Sequence, residues 1–247
     1  MKKNLIIIPS RMQSQRLPGK PLLDIEGIPM VIRVAQQAIK SNAGEVWIAC
    51  CDDEVYKTAK NYGINVIKTK ADHNSGSDRI YEAFKSLDKS NKIETIINLQ
   101  GDMPTISADI IRNLVKLKES IPSDIFTLAN EINDEVTKLD KDIVKVVISK
   151  NKNTKYGRAL YFSRSLIPFG VGPVYHHIGI YAYSRDSLER FINLKQSSLE
   201  KRESLEQLRA LEDNMDIKVG IVEDSPIGVD NLADFNKACD YIRNNKF

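Results

Sequence analysis

Cysteine, tryptophan and long apolar runs are all scarce in this chain. Its 247 residues include three cysteines and one tryptophan, and two of the cysteines, Cys50 and Cys51, are adjacent. An odd number of cysteines without a CxxC spacing argues against a disulfide framework or a zinc site, so we expect buried or idle thiols in a reducing compartment. The apolar stretch Leu5–Ile8 is too short for a signal peptide, and no stretch approaches the roughly 20 apolar residues of a membrane-spanning helix. We therefore expect a cytoplasmic protein without membrane insertion.

A strong charge of one sign is also absent. The chain carries 36 lysines and arginines against 33 acidic residues, a formal net charge of +3 that is spread evenly. No RNP, zinc-finger or helix-turn-helix signature is present, so nucleic acid is not an expected partner. Hydrophobic residues make up 42% and charged residues 28%, the ordinary proportions of a soluble globular protein.

Apolar strands alternate with helical patterns through the first half of the chain. The predicted strands are Leu5–Ile8, Val46–Cys50, Ile64–Ile67 and Thr95–Leu99, and the predicted helices are Ile28–Asn42, Asp52–Tyr62, Ile80–Leu87 and Asp109–Leu117. Alternation at this spacing indicates βαβ units and an α/β fold with a mixed, mostly parallel central sheet and flanking helices.

The pattern changes after about Ser123. Predicted strands follow one another at Ile125–Ala129, Ile143–Ile148, Arg158–Phe162 and Ile178–Tyr183, and then come helices at Ser187–Asn193 and Leu199–Leu211, a strand at Ile217–Val222 and a helix at Leu232–Arg243. Successive strands favour a small antiparallel extension of the sheet or a small second layer. Because no linker or repeat divides the chain, we predict one domain over 1–247, with a nucleotide-type half at 1–122 and a substrate-type half at 123–247.

A basic loop follows the first strand, in the stretch LIIIPSRMQSQRLPGK. It carries Arg11, Arg16 and Lys20 and is punctuated by Pro18 and Gly19. Open α/β sheets bind anionic ligands at the carboxyl ends of their strands, and arginine and lysine together suit a polyphosphate. The loop matches neither GxxxxGK[ST] nor GxGxxG. A solvated basic turn explains the same residues equally well.

Two aspartates are candidate Mg²⁺ ligands. Asp102 follows a buried strand, and Asp230 lies between the last strand and the last helix. Carboxylates at the rim of the sheet can hold Mg²⁺ together with substrate phosphates. Taken singly, Asp102 is more simply a turn residue and Asp230 a helix N-cap. Their presence together, opposite a basic loop, favours a metal site.

Three further groups of polar residues each have an ordinary structural explanation. In the loop His73–Arg79, Ser77 and Asp78 could cap the next helix, although Arg79 falls in a first turn where a cation is disfavoured. The pair His176-His177 points to opposite faces of a strand, so that only one of the two can face a site. In the predicted helix 199–211, the charged residues Arg202, Glu206 and Arg209 match a surface ion-pair ladder.

Seven segments in order resemble the 3-deoxy-manno-octulosonate (Kdo) cytidylyltransferase, or CMP-Kdo synthetase, family. They are IIIPSRMQSQRLPGKPL, ADHNSGSDR, NLQGD, ALYFSR, HHIGIYAYSR, LEQLR and the GVD near the end. The resemblance implies a nucleotide-diphospho-sugar transferase fold and a homodimer. It also implies a Mg²⁺-dependent enzyme that converts CTP and Kdo into CMP-Kdo and pyrophosphate for lipopolysaccharide biosynthesis.

The resemblance also implies roles for individual residues. Those with catalytic roles are Arg11, Lys20, Asp102 and Asp230, of which Asp102 and Asp230 bind Mg²⁺. The implied nucleotide contacts are Pro9, Ser10, Arg11, Ser14, Arg16, Lys20, His73, Ser75 and Gln100. The implied sugar contacts are Arg79, Gln100, Arg164, His177, Tyr181, Glu206 and Gln207.

The chain departs from the family pattern at a few positions. Met103 stands where the family has an acidic residue, Asn231 follows Asp230 in place of threonine, and Phe169 replaces a common tryptophan. Two alternatives stay open at the level of sequence. One is a cytidylyltransferase for a related acid sugar, such as an 8-amino-Kdo or a sialic acid. The other is a non-catalytic nucleotide-binding protein of the same fold.

Overall fold

The computed structural model describes residues 4–14, 16–151 and 153–245. These residues form two compact units. The first unit combines the chain up to Arg112 with the segment from Pro226 onward, and the second unit is Asn113–Ser225. The units differ from the predicted halves, 1–122 and 123–247, because the C-terminal segment, which carries Asp230, packs with the first unit.

The first unit is built on parallel strands. Its strands are β1 (Asn4–Ser10), β2 (Asp24–Ile25), β3 (Ile28–Pro29), β4 (Glu45–Cys50), β5 (Val66–Lys68) and β6 (Thr95–Leu99). Four of them form a parallel sheet in the order β5-β4-β1-β6, while β2 and β3 form a separate antiparallel hairpin. Leu5–Ile8 are at most 1% exposed, since a central parallel strand is covered on both faces. The carboxyl ends of these strands therefore lie at one edge, where Ser10, Cys50 and Leu99 end their strands.

The helices of this unit follow their strands. They are α1 (Met30–Ser41), α2 (Asp53–Asn61), α3 (Gly76–Leu87) and the C-terminal α9 (Leu232–Asn245), while α4 (Ala108–Ser120) begins in the first unit and ends in the second. A short 3-10 helix at Lys20–Leu22 ends the basic loop. All the strands and helices predicted for this part of the chain are confirmed to within a few residues. The hairpin β2–β3 was not predicted, since its strands have two residues each and leave no periodic signal.

One apolar cluster joins distant parts of the first unit. Leu17 of the basic loop, Ile25 and Met30 pack with Val229 from the segment before α9 and with Ala238 and Ile242 of α9. Two backbone-donated hydrogen bonds attach the same segment to the turn after β6: Val229 N donates to Asp102 O (2.9 Å) and Ile227 N to Thr105 Oγ1 (2.7 Å). The basic loop and the residues before α9 are thus held by a common core.

The second unit contains mainly antiparallel pairs. Its strands are β7 (Ile125–Glu131), β8 (Lys145–Ser149), β9 (Tyr156–Ser163), β10 (Tyr175–Tyr183) and β11 (Ile217–Val222), and its helices are α5 (Glu135–Leu139), α6 (Arg185–Asn193), α7 (Ser198–Glu203) and α8 (Leu208–Glu212). The strand order is β10-β7-β11-β9-β8, and β8 also pairs with β10. Only β7–β11 is parallel among these pairs of described strands. The predicted α/β class with an antiparallel part is confirmed.

The single helix predicted for Leu199–Leu211 is wrong. The chain forms α7 and α8 there, with Ser204 between them at φ 57° in the left-handed region, where it ends α7. The ladder of Arg202, Glu206 and Arg209 is therefore interrupted at Ser204, and of its steps the Glu206–Arg209 pair remains, at 3.7 Å. Among the residues that the structure describes, no helix is both long and apolar enough to cross a membrane.

Candidate active site

A cavity of about 930 Å³ opens in the first unit at the carboxyl edge of the parallel sheet. Twelve of the residues predicted for the site line it. They are Pro9, Ser10, Arg11, Ser14, Arg16, Lys20, His73, Ser75, Arg79, Gln100, Asp102 and Asp230. Gln13, Gly76 and Gly101 line it as well and were not predicted. At Gly101 a Cβ atom would lie 3.2 Å from Pro9 O, so a side chain there would crowd the end of β1.

Local backbone geometry orients the basic loop. Leu17 is 9% exposed and anchors the middle of the loop in the apolar cluster. Gly19 has φ +69°, a conformation that favours glycine, and it allows the chain to turn into the 3-10 helix. Arg11 and Arg16 remain exposed, whereas the Lys20 side chain is only 14% exposed.

Lys20 lies between two carboxylates. Its Nζ donates to Asp102 Oδ2 at 2.8 Å and to Asp230 Oδ1 at 3.4 Å. Arg16 Nη2 lies 3.2 Å from the same Oδ1 of Asp230. Asp102 and Asp230 thus converge on the ammonium group of Lys20, although they lie 82 and 210 positions from it in the sequence.

The N-cap role that sequence favoured for Asp230 is wrong. Asn231 accepts a hydrogen bond from Asp234 N through its Oδ1 (3.0 Å), in the manner of an N-cap for α9. The carboxylate of Asp230 points instead to Lys20 and Arg16. Asn231 therefore supplies the cap, which leaves Asp230 available to the cavity.

The donor set of this cavity fits a hard divalent cation. Asp102 and Asp230 are partly exposed, with side chains 35% and 40% accessible, and both reach one point that a cation, Lys20, already contacts. Within the described ranges no group of three or more His, Cys, Asp or Glu side chains forms a metal cluster. Mg²⁺ needs few protein ligands, since it commonly uses one or two carboxylates and takes the rest from water and phosphates.

The start of α3 forms another wall of the cavity. Ser75 is its N-cap and shares a capping box with Asp78. The prediction that Ser77 could cap the helix is wrong, because the N-cap lies two residues earlier. His73 Nε2 contacts Glu82 Oε2. Gln100 Nε2 donates to Asn98 Oδ1 at 2.9 Å, which orients its amide.

Two polar atoms of this wall are buried. Arg79 is 2% exposed and donates through Nη1 to Thr69 Oγ1 (2.6 Å) and Lys70 O (3.0 Å). In the part of the chain that the structure describes, Arg79 Nη2 and Ser10 Oγ are buried without a hydrogen-bond partner. Both residues also line the cavity.

The remaining predicted sugar contacts belong to the second unit. Arg164 follows β9 and is fixed from several sides. Its Nε donates to Glu203 O (3.3 Å), its Nη1 to Lys141 O (3.2 Å), and its backbone N to Glu203 Oε2 (3.1 Å). Its own carbonyl accepts from the buried Lys145 Nζ at 2.8 Å. Sequence reasoning missed Glu203 and Lys145, because neither lies in a recognisable motif.

His177 and Tyr181 lie side by side on β10, with ring centroids 5.4 Å apart. Thr127 Oγ1 lies 2.9 Å from His177 Nε2 and 2.8 Å from Ile180 O, and burial lowers the pKa of His177 to about 3. Burial raises the pKa of Tyr181, and the nearby charge of Glu206 raises it further. Both side chains are therefore neutral hydrogen-bonding groups.

Glu206 and Gln207 occupy the break between α7 and α8. Glu206 is partly buried and Gln207 is 6% exposed. A buried ion pair spans the break, because Glu200 of α7 accepts from Arg209 of α8. The same Arg209 lies 3.7 Å from Glu206 Oε1.

Acid is expected to destabilise the protein through His177. Burial lowers the pKa of His177 from 6.5 to about 3, so below pH 6.5 the unfolded chain takes up a proton that the folded chain does not. Stability is thus complete above about pH 6.5 and falls by ~1.4 kcal/mol per pH unit below it for this one group. Urea unfolding at several pH values between 7.5 and 5 gives the free energy of unfolding as a function of pH, and its fall toward acid should be less steep in His177→Gln than in the wild type. The difference in the free energy of unfolding between the two proteins at pH 7.5 measures the change in packing alone. An equal dependence on pH in both proteins would contradict the role given to His177.

Comparisons with known proteins match this chain over almost its full length. The family model described as cytidylyltransferase matches residues 5–217. Proteins named 3-deoxy-manno-octulosonate cytidylyltransferase from Sinorhizobium medicae and Brucella canis are each 50% identical over 236 residues, which are 96% of this chain and 94% of theirs. A solved structure of CMP:2-keto-3-deoxy-manno-octonic acid synthetase complexed with CTP is 35% identical, with a TM-score of 0.88, over 98% of this chain and 99% of the other. The chain belongs to the 3-deoxy-manno-octulosonate cytidylyltransferase, or CMP-Kdo synthetase, family.

Proposed function

We propose that this protein transfers CMP from CTP to the anomeric hydroxyl of Kdo, releasing pyrophosphate and giving CMP-Kdo for lipopolysaccharide biosynthesis. The observation that carries the proposal is the convergence of Lys20 with Asp102 and Asp230 in the cavity that Arg11 and Arg16 also line. The relatives named for this activity support it, and so does the neighbouring structure that holds CTP.

The basic loop would hold the triphosphate. Arg11 offers a planar fork of donors and Lys20 a compact charge, and both suit phosphate oxygens. Ser14 and Arg16 lie in the same loop and line the same cavity. As the bond between the α-phosphorus and its bridging oxygen breaks, negative charge grows on pyrophosphate, and these cations would stabilise it.

The nucleoside end would occupy the wall made by β1 and α3. Arg79 Nη2 and Ser10 Oγ supply two buried donors without partners among the described residues. His73, Ser75 and Gln100 lie on the same cavity surface. We propose that Ser10, His73, Ser75 and Gln100 contact the cytosine and ribose, while Arg79, which lines the same wall, contacts the sugar.

Asp102 and Asp230 would hold Mg²⁺. Both are carboxylates and both face one point, so the residues present fit this ion. When bound, Mg²⁺ supplies Lewis-acid polarisation of a phosphate oxygen and orients the reacting groups. Lys20, which lies between the carboxylates, would then contact the phosphates.

The second unit would supply the sugar contacts. Arg164 is held in one orientation by backbone carbonyls, and an arginine suits the carboxylate of an acid sugar. His177, Tyr181, Glu206 and Gln207 offer neutral and charged hydrogen-bonding groups for the hydroxyls. In the reaction the Kdo C2 oxygen forms a bond to the α-phosphorus, pyrophosphate departs, and the hydroxyl proton is released to solvent.

Pyrophosphate release is the direct test of this function. We expect release to require CTP, Kdo and Mg²⁺ together, and to fall sharply when any one is omitted. A panel of acid sugars that includes an 8-amino-Kdo and a sialic acid distinguishes Kdo from its analogues. CTP binding without any turnover on the panel would instead favour the non-catalytic alternative. Assembly as a homodimer stays a prediction, which sedimentation can check.

A further inference from the structure

Asp52 contacts the basic loop from the neighbouring strand. Met12 N donates to Asp52 Oδ2 at 2.9 Å, a bond between residues 40 positions apart. The Cys51 thiol donates to the same oxygen at 3.2 Å. Asp52 lies two residues after the end of β4, at the carboxyl edge of the sheet from which the loop also leaves β1.

The use of this carboxylate is unusual for its position. Asp52 is the N-cap residue of α2, where an aspartate ordinarily accepts a bond from the first turn of its own helix. Here the side chain makes no capping hydrogen bond. By contrast, Ser75, Asp134, Ser184 and Ser197 all cap their helices through their side chains. The carboxylate of Asp52 is committed to the loop and not to the helix.

The contact holds the first half of the loop. Leu17 and Lys20 fix its second half, through the apolar cluster and through the two site aspartates. Its first half is held by the hydrogen bond from Met12 N to Asp52. Arg11 and Gln13, on either side of Met12, both line the cavity.

We propose that Asp52 is a positioning residue for the basic loop. Its carboxylate holds the backbone at Met12 and thereby orients Arg11 and Gln13 into the cavity. The link from this orientation to CTP rests on the proposed function, whereas the anchoring itself does not.

Limited trypsin digestion of the ligand-free protein tests the anchoring. Trypsin cleaves after Arg11 and Arg16, so the rate of cleavage at these two sites, followed by mass spectrometry, reports how often the loop opens. Loss of one hydrogen bond to a charged acceptor should make Asp52→Ala cleave ~10-fold faster at Arg11 than the wild type. Asp52→Asn keeps an acceptor oxygen and should cleave only about 2–3-fold faster, since a neutral acceptor is weaker.

Asp53→Ala is the matched control. Asp53 is the next residue, is exposed, and bonds Lys68 Nζ at 2.7 Å. It should leave the cleavage rate unchanged. If circular dichroism shows that Asp52→Ala folds poorly, the cleavage rates of Asp52→Asn and Asp53→Ala still test whether Asp52 anchors the loop. Equal cleavage rates in the Asp52 variants and this control would overturn the proposal.

Steady-state kinetics separates the anchoring from the role of the loop. We expect the KM for CTP in Asp52→Ala to rise about 10-fold, with the KM for Kdo within about 2-fold of the wild type. A general structural defect would raise both constants together and would count against positioning. Faster cleavage with an unchanged KM for CTP would support the anchoring and contradict the triphosphate role of the loop.

Discussion

Asp102→Asn and Asp230→Asn are each expected to lower turnover at least ~100-fold, the scale seen when one electrostatic contributor to a transition state is removed. Asparagine keeps the shape of the side chain but removes its charge. The two carboxylates reach the same ammonium of Lys20, so each variant leaves a single acidic group at the place proposed for Mg²⁺.

The measurement is pyrophosphate release at saturating CTP and Kdo, together with Mg²⁺ binding by calorimetry. Mg²⁺ affinity in the presence of CTP should fall in both variants, which separates a metal role from a purely structural one. Asp109→Asn is the control, because Asp109 is an exposed aspartate in the first turn of α4 that pairs with Arg112 at 2.6 Å. Near-normal turnover in either site variant would sink the two-carboxylate metal site.

Glu200→Gln should lower the free energy of unfolding by about 3 kcal/mol, because it removes the nearer of two carboxylates beside the buried Arg209 guanidinium and leaves Glu206 at 3.7 Å. Glu200 and Arg209 are 5% and 8% exposed, and Arg209 Nε donates to Glu200 Oε2 at 2.8 Å. The Arg209 guanidinium also lies over the ring of Phe191, with 5.3 Å to the centroid. Urea unfolding followed by circular dichroism measures the loss.

The exposed pair of Arg190 and Asp213 is the natural comparison. Its side chains are 45% and 41% accessible, so Asp213→Asn should cost less than about 1 kcal/mol. Glu200→Gln combined with Arg209→Met should recover most of the lost stability, since no unpaired charge then stays buried. A loss in Glu200→Gln no larger than that in Asp213→Asn would contradict this view of the pair. Because the pair spans the break that holds Glu206 and Gln207, Glu200→Gln should also raise the KM for Kdo.

The strands and helices were largely predictable from local signals. Leu5–Ile8 is an unbroken apolar run of strand length, Thr95–Leu99 is a short segment with three large apolar residues, and α1 repeats apolar residues at helical spacing. The prediction of one helix over 199–211 was wrong because Ser204 adopts a left-handed backbone conformation, which a serine in the sequence does not indicate. Its residues keep helical periodicity on both sides of the break, so sequence alone could not reveal it.

For the candidate site too, some features were predictable from local sequence and others were not. The sequence by itself determined the basic loop, the turn at Asp102 and the family pattern, because each lies within one short segment. Only the tertiary structure decided that Asp230 faces Lys20 and that Asp52 holds the loop. The physical reason is that these contacts join positions 40 to 210 residues apart. They depend on the burial of Leu17 and Val229 in one apolar cluster and on the shared edge of β1 and β4, neither of which any local pattern encodes.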